Sequence, residues 1–146
     1  MSRFLVVTAL FASGCDFFGD GAVEPPDQFS ITNPSLIDDS NRDGIVHAGE
    51  RGWIELHLNN EWNDDWMAEV GVHATVDNPG VVFLDDEPVF FGIFGNTSAD
   101  IRFIFDLDPS VPPGTVLNFD FEITAPGCVA NCPGPNPIQF QLVSGS

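Results

Sequence analysis

The chain has 146 residues and a strongly one-sided charge: 22 aspartates and glutamates stand against four arginines and no lysine, for a formal net charge of −18. This length suits one domain with a substantial core and is short for two. The charge would repel a phosphate backbone, which argues against nucleic-acid binding. An apolar content of 43%, including 14 phenylalanines, argues against a disordered acidic chain and predicts a folded domain with an acidic surface.

The first 14 residues have the layout of an export signal. Arg3 precedes an apolar run from Phe4 to Ala12, and small residues lead to Cys15. The run is too short for a permanent membrane span. The stretch ASGC resembles a bacterial lipobox, and the resemblance implies that Cys15 is lipidated and becomes the first residue of the mature protein. An ordinary secretory signal cut nearby is the alternative.

Residues 15–28 are acidic and rich in glycine and proline, with neither a helical nor a strand period. We interpret them as a tether between the lipidated cysteine and a folded domain that covers residues 29–146. A chain exported and attached in this way would lie in the bacterial cell envelope, facing the periplasm or the cell exterior. Its contact with the membrane would be the lipid.

Beyond the tether, apolar and polar residues alternate with a period of two, which is the pattern of half-buried strands. Turn signals such as DNPG, GNTSAD and DPSVPPG separate these stretches. The pattern predicts an all-β fold, namely a single antiparallel β-sandwich, with a small barrel or jelly roll as the alternative. Longer strands are expected near residues 53–58, 68–76, 101–107, 117–123 and 138–142, and shorter ones at 29–37, 81–84 and 88–94.

A calcium-loop motif separates the first two expected strands. Residues 39–50 read DSNRDGIVHAGE, which matches the pattern D-x-D/N-x-D/N-G with a glutamate after five further residues. Calcium prefers about six to eight hard oxygen ligands. The expected ligands are the side chains of Asp39, Asn41 and Asp43, the backbone carbonyl of Ile45 and both carboxylate oxygens of Glu50.

Two further residues define how this loop would work. Gly44 permits the sharp turn that lets the ligand oxygens converge. His47 would act through water, because imidazole is a poor calcium ligand. The flanking sequences have strand patterns and not amphipathic helices, so a bound ion would stiffen the connection between two strands. The alternative is an Asx-rich surface turn that binds no ion.

The loop and the strands after it resemble a known family. The stretches DDSNRDGIVHAGERGWIELHLNN, VGVHATVDNPGVVFL, FFGIF and PPGTVLNFDFEITA are similar to a bacterial immunoglobulin-like domain of the cell-adhesion-related (CARDB-like) kind, over residues 29–125. The resemblance implies an immunoglobulin-like β-sandwich of 7–8 strands with a calcium-stabilised loop. For many relatives it also implies an adhesive or spacer role in secreted and surface proteins.

Three tryptophans are candidate partner-binding residues. Trp62 and Trp66 lie in the stretch NEWNDDWMAE, and Trp53 lies on the expected outward face of a strand. Exposed tryptophans stack on sugar rings or anchor a protein partner; the alternative is that they cap the open end of the sandwich. His57 and His73 are candidates to face each other across strands and bind a metal, or are polar residues of a wet face.

The stretch GCVANCPG contains Cys128 and Cys132. With Cys15 lipidated they are an even pair in an exported protein, where thiols tend to oxidise, so we expect a disulfide that closes this small loop. Zinc would need two more ligands nearby in sequence. A redox site usually has two residues between its cysteines, and this stretch has three.

Signatures of catalysis are weak. Neither FASGC nor VSGS is a nucleophile elbow, and the sequence has no HExxH or phosphate-loop motif. The expected function is therefore that of a non-enzymatic, lipid-anchored, calcium-binding surface module for interaction, adhesion or structural support. A carbohydrate-binding module that uses the tryptophans is one alternative, and a hydrolase that uses acidic residues is another.

Overall fold

A computed structural model describes residues 29–124 and 138–145 of the chain. This part consists of strands, turns and bends. Among these residues, no helix is long and apolar enough to cross a membrane. The export signal, the tether, Cys15, Cys128 and Cys132 lie outside the described residues, so the predicted lipidation and disulfide stay predictions.

The described residues form eight strands where the sequence alternates between apolar and polar side chains. Every predicted strand is present, and the ends differ by only a few residues. The strands are β1 (Phe29–Asp39), β2 (Arg51–Asn60), β3 (Trp66–Val76), β4 (Val81–Phe83), β5 (Val89–Ile93), β6 (Ser98–Leu107), β7 (Val116–Thr124) and β8 (Ile138–Val143).

The strands form two antiparallel sheets, with the orders β1-β2-β6-β4 and β5-β3-β7-β8. With β1, β2, β6 and β4 as strands A, B, E and D, and with β3, β7 and β8 as C, F and G, this is the immunoglobulin arrangement. β5 is an additional strand beside C. The predicted fold, an antiparallel immunoglobulin-like β-sandwich of seven or eight strands, is confirmed.

β4 and β5 are two parts of one edge that passes from the first sheet to the second. The N–H of Leu84 donates to the carbonyl of Ile104 on β6 at 2.9 Å, so at this point the chain belongs to the first sheet. The N–H of Ala74 on β3 donates to the carbonyl of Asp86 at 2.8 Å, so there the chain belongs to the second. The change of sheet takes place at Asp85, in the polar stretch DDEP.

The inward faces of the two sheets supply one hydrophobic core. Period-two alternation places most of the apolar side chains between the sheets and most of the polar ones outside. Phe103 packs on Phe121 with ring centroids 5.1 Å apart, and Phe105 packs on Phe119 at 5.3 Å. Because each pair has one ring from β6 and one from β7, these contacts join the two sheets.

The two ends of the sandwich carry different features. The β1–β2 connection, which contains the predicted calcium loop, lies at one end, and the β2–β3 turn lies at the other. β2 has 10 residues, and a strand rises about 3.3 Å per residue. The two ends are therefore roughly 30 Å apart along β2.

Candidate functional site

The predicted calcium loop is the connection between β1 and β2, so it joins strands and not helices. The N–H of Ser40 donates to the carbonyl of Arg51 at 3.0 Å and closes the base of the loop. Arg42 and Gly44 have positive φ angles of 65° and 82°, and these two left-handed residues turn the chain back on itself. Glycine adopts this conformation without the steric cost of a side chain, which fits the role predicted for Gly44.

Asp39 is buried, with 2% of its surface exposed, and its carboxylate organises the loop. Its Oδ1 accepts hydrogen bonds from the backbone N–H groups of Asn41, Arg42 and Asp43 at 3.1, 2.6 and 3.3 Å. Its Oδ2 accepts one from the N–H of Gly44 at 2.8 Å. A buried carboxylate needs such partners to offset the loss of water. The backbone of the loop is thus folded around the Asp39 carboxylate.

Asn41 and Asp43 repeat this pattern further along the loop. Asn41 Oδ1 accepts a hydrogen bond from the N–H of Asp43 at 2.8 Å, and Asp43 Oδ1 accepts one from the N–H of Ile45 at 2.9 Å. Asp43 Oδ2 lies 3.0 Å from His47 Nε2. The pKa of Asp43 is below its ordinary value, mainly because of the hydrogen bond with His47. Asp43 is therefore ionised at neutral pH.

Glu50 ends the loop, and its side chain points back into it. Glu50 Oε2 accepts a hydrogen bond from the N–H of His47 at 3.0 Å, and the N–H of Leu107 donates to the carbonyl of Glu50 at 2.9 Å. Val46 is buried in the core, and its carbonyl accepts a hydrogen bond from the N–H of Gly145 at 2.9 Å. Since Leu107 ends β6 and Gly145 follows β8, the loop is fixed to both sheets.

The predicted calcium ligands all lie on this loop. Within residues 29–124 and 138–145, no group of three His, Cys, Asp or Glu side chains is arranged to hold a metal ion. The carboxylates of Asp39, Asp43 and Glu50 are bound instead to N–H groups and to His47. The carboxylate oxygens of these three residues are of the kind that calcium prefers as ligands. An ion bound by Asp43 Oδ2 would compete with its contact to His47 Nε2.

The three candidate tryptophans do not form one surface. Trp53 is half-buried near the start of β2, at the calcium-loop end. Trp62 follows the end of β2 and is exposed. Trp66 opens β3, and its ring packs edge-on against Phe29 with centroids 5.5 Å apart. Trp66 therefore covers the end of the core, as in the capping alternative, whereas Trp62, with 51% of its surface exposed, is the one of the three that offers a surface for stacking on a sugar.

The proposed pairing of His57 with His73 across neighbouring strands is wrong. His57 lies on β2 in the first sheet and His73 lies on β3 in the second, because the chain changes sheet at the β2–β3 turn. His57 Nδ1 is 2.7 Å from Asp100 Oδ1 on β6, and His73 is paired with Glu122 on β7. The two histidines belong to opposite outer faces and do not share a metal.

Asn60 is a buried polar residue that the sequence patterns did not single out. Its Nδ2 donates to the carbonyls of Asp64 at 2.9 Å and Ile93 at 3.1 Å, and its Oδ1 accepts a hydrogen bond from the N–H of Trp62 at 3.2 Å. The amide thus joins the β2–β3 turn to the end of β5. A signal was present in the sequence: Asn60 continues the inward alternation of β2, where a polar side chain needs partners.

No protein-family model matches the sequence, and no curated protein matches it. A crystal structure of a FixG-related protein from Vibrio parahaemolyticus is similar, with 11% sequence identity and a TM-score of 0.50, over 82% of this chain and 98% of that chain. The ASH / PapD-like domain of human CEP192 (PapD-like domain 7) has 14% identity and a TM-score of 0.47, over 99% and 97% of the two chains. WR4, an MSP family member of C. elegans, has 9% identity and a TM-score of 0.45, over 81% and 98%. At such identities the likeness to the FixG-related protein shows a shared fold alone.

Proposed function

We propose that this chain is a non-catalytic β-sandwich module of the bacterial cell envelope, anchored by a lipid at Cys15 and stabilised by calcium at the β1–β2 loop. It presents a stiff surface for adhesion, interaction or structural support. The observation that carries the proposal is the buried Asp39 carboxylate, which organises a loop turned at Gly44 with the further oxygens of Asp43 and Glu50 on the same loop.

The charged pairs on the outer face of the first sheet support a structural role. Arg51 donates two hydrogen bonds to Asp106, at 2.7 and 3.0 Å, and Arg102 donates one to Glu55 at 2.8 Å. Opposite charges paired across strands stabilise the register of a sheet. Carboxylates used in this way support a structural module over a hydrolase, which needs acidic groups aimed at a substrate.

Calcium at the loop would supply positive charge among carboxylates of a chain whose formal net charge is −18. Binding would compete with the hydrogen bonds that Asp43 and Glu50 already make. We expect the affinity typical of extracellular calcium modules, with a dissociation constant of roughly 10⁻⁴ to 10⁻³ M. Magnesium should substitute poorly, because it demands a tighter octahedral geometry and gives up its water reluctantly.

Thermal unfolding of the full chain, with calcium and with chelator, tests the ion. For a dissociation constant of about 0.1 mM and about 1 mM calcium, linkage gives about 1.4 kcal/mol. This free energy corresponds to a rise in melting temperature of about 4–7 °C. Asp43→Ala or Glu50→Ala should abolish the rise, while the circular dichroism spectrum should remain that of an all-β protein.

Glu69→Ala is the matched control for these variants. Glu69 is an exposed carboxylate on β3, away from the calcium loop, so its loss should leave the calcium-dependent rise intact. Two results would show that the loop is only an acidic turn. One is a wild-type melting temperature that is the same with calcium and with chelator. The other is a calcium-dependent rise in both loop variants that equals the rise in the wild type.

A Cys15→Ser variant tests the lipid anchor. The wild-type chain should partition with the membrane fraction and carry the mass of a lipid, whereas Cys15→Ser should be released or remain an uncleaved precursor. Cys128→Ser is the control and should still partition with membranes. Unchanged mature mass and membrane association in Cys15→Ser would contradict the anchor.

A further inference from the structure

Four large apolar side chains are exposed near the end of the sandwich opposite the calcium loop. We call Trp62, Met67, Phe91 and Phe94 the apolar patch; their exposed fractions are 51%, 64%, 74% and 66%. Together they present on the order of 400–500 Å² of apolar surface. An apolar patch of this size is comparable to the largest patch on a typical monomer, which often marks an interaction site.

Sheet pairing brings Met67 and Phe91 to the same outer face. Phe91 on β5 is paired with Glu69 on β3, two residues after Met67, and side chains two residues apart share a face. At Gly92, whose φ is 87°, the pairing is irregular, and the Met67 sulfur lies 4.0 Å from the position that a Cβ on Gly92 would occupy. Both side chains therefore stand on the outer face of the second sheet, at its β5 edge.

Trp62 and Phe94 extend the patch around the end of this sheet. Phe94 directly follows β5, and the N–H of Asn96 donates to the carbonyl of Trp62 at 2.8 Å. The N–H of Gly95 donates to Oδ1 of Asp65 at 2.9 Å. These bonds hold the β2–β3 turn against the turn after β5, so the two segments that carry the patch lie side by side.

Carboxylates rim the patch. Four of them, on Glu61, Asp64, Asp65 and Glu69, are exposed and belong to the β2–β3 turn and the start of β3. The chain has no lysine, and the arginines of the described residues lie in the calcium loop, at the start of β2 and within β6. An open depression of about 620 Å³ has Asn59 and Glu61 among its lining residues. The rim therefore offers negative charge to whatever covers the patch.

We propose that the apolar patch binds a basic polypeptide segment of a partner protein, with apolar side chains between its lysines or arginines. The apolar side chains would cover the patch, and the cationic groups would meet the four rim carboxylates. This inference rests on the interaction role proposed above and adds the chemistry of the partner. Charge complementarity of this kind speeds association and selects the partner.

Charge disfavours three other occupants. A second copy of the chain would bring the same carboxylates and another formal charge of −18. The chain's own tether joins the domain at this end, since Phe29 packs on Trp66, but residues 16–28 contain four acidic residues and no basic one. An anionic membrane surface would be repelled by the rim in the same way.

The test uses the full chain and synthetic peptides of about ten residues as probes, designed for the alternation of an extended strand. One alternates lysine with valine and phenylalanine, a second has glutamate for lysine, and a third has serine for the apolar residues. Calorimetry and tryptophan fluorescence report binding. We expect the first peptide to bind at least tenfold more tightly than either of the others, and its affinity to fall as salt is raised.

Variants separate the patch from general attraction between a cationic peptide and an acidic protein. Phe91→Ser and Met67→Ser should weaken binding of the lysine peptide at least tenfold without lowering the melting temperature, because both side chains are exposed. Val143→Ser, which removes an exposed apolar side chain on β8, is the matched control and should bind as the wild type does.

Several results would overturn the proposal: equal binding in Phe91→Ser and wild type, equal binding of the glutamate peptide, or no binding of the lysine peptide. Self-association lost in Phe91→Ser would identify a second copy as the occupant, and binding to neutral vesicles lost in that variant would identify a membrane surface. The calcium-dependent melting rise is measured on the same samples. If the calcium-dependent rise is intact but no peptide binds, only the proposal of a basic partner is rejected. If the peptide binds but the rise is absent, only the proposal of calcium binding is rejected.

Discussion

Phe29 and Trp66 meet edge to face, with ring centroids 5.5 Å apart and ring planes at 88°. Phe29 begins β1 in the first sheet and Trp66 begins β3 in the second, so the pair joins the sheets at one end of the core. Such pairs contribute about 0.5–1.5 kcal/mol beyond the area that they bury. We expect a double-mutant cycle of Phe29→Leu and Trp66→Leu, measured by urea unfolding, to give a coupling energy in that range. Additive losses would mean that each ring only fills space.

Asn60→Leu should destabilise the fold, because the carbonyl of Ile93 and the N–H of Trp62 lose a buried hydrogen-bond partner. We expect a loss of about 1–3 kcal/mol in the free energy of unfolding. The β2–β3 turn, which contains Trp62, should also loosen. A change in the tryptophan fluorescence of the chain would report this. Asn59→Ala removes a neighbouring amide that bonds only to side-chain hydroxyls, on Ser30 and Thr32, and should cost less. Equal losses in both variants would contradict a special role for Asn60.

Gly52→Ala should be destabilising for steric reasons. A Cβ at Gly52 would lie 2.5 Å from Cζ of Phe105 and 2.9 Å from Cγ2 of Val46, so the core must shift to admit it. Overpacking of this kind costs about 1–3 kcal/mol, and Phe105→Leu in the alanine background should recover part of that loss.

Gly114→Ala is the contrasting case. Nothing lies within 4 Å of its Cβ position, and its φ is 77°, so the expected cost is backbone strain alone, about 1–2 kcal/mol. Phe105→Leu should give no recovery in this variant. Recovery in both backgrounds, or in neither, would contradict the steric explanation for Gly52.

The stability of the fold should depend on the Arg51–Asp106 pair in acid. Hydrogen bonding to Arg51 lowers the pKa of Asp106 below 3.8. A carboxyl with a lowered folded-state pKa stabilises the fold above its unfolded pKa, and this stability is lost as the pH falls through the folded value. The urea concentration at the unfolding midpoint should therefore decrease as the pH is lowered below about 4. In Asp106→Asn or Arg51→Met this decrease should be smaller.

The effect of these two variants should be partial, since Asp43, Asp77 and Asp108 also have lowered pKa values, each mainly through a side-chain hydrogen bond. The measurement is a series of urea titrations from neutral pH to about pH 2.5, a range chosen to pass through the carboxyl pKa values. Identical pH curves for Asp106→Asn and wild type would show that the pair contributes nothing to acid stability.

Period-two alternation was enough to predict every strand, because the side-chain period is a local property of the sequence. It did not determine which strands share a sheet. That depends on pairings between distant residues, such as Gly52 with Phe105. The pairing of His57 with His73 failed for this reason: consecutive strands β2 and β3 belong to different sheets.

The position and the turn of the β1–β2 loop could be predicted from the sequence, whereas the hydrogen bonds of its side chains could not; calcium binding by the loop stays a prediction. Spacing alone indicated a reversal at Gly44 between two strands. It did not indicate that Asp43 would bond to His47 and that Glu50 would bond to the N–H of His47, because these contacts depend on side-chain geometry. The different fates of Trp62 and Trp66 likewise depend on packing at the end of the core.

The edge strand passes from one sheet to the other at Asp85, and this affects how readily strands of other molecules could add to the sheet edges. It leaves β4 with 3 residues and β5 with 5. On the other side of the first sheet, β1 is irregular at Asn33, with a φ of 54°, and at Pro34, which has no N–H to donate. A strand from another molecule would find only short runs of backbone groups at these edges. At β1, β4 and β5 the fold therefore resists growth by strand addition even with Phe91 exposed, and it leaves recognition at the β5 edge to side chains.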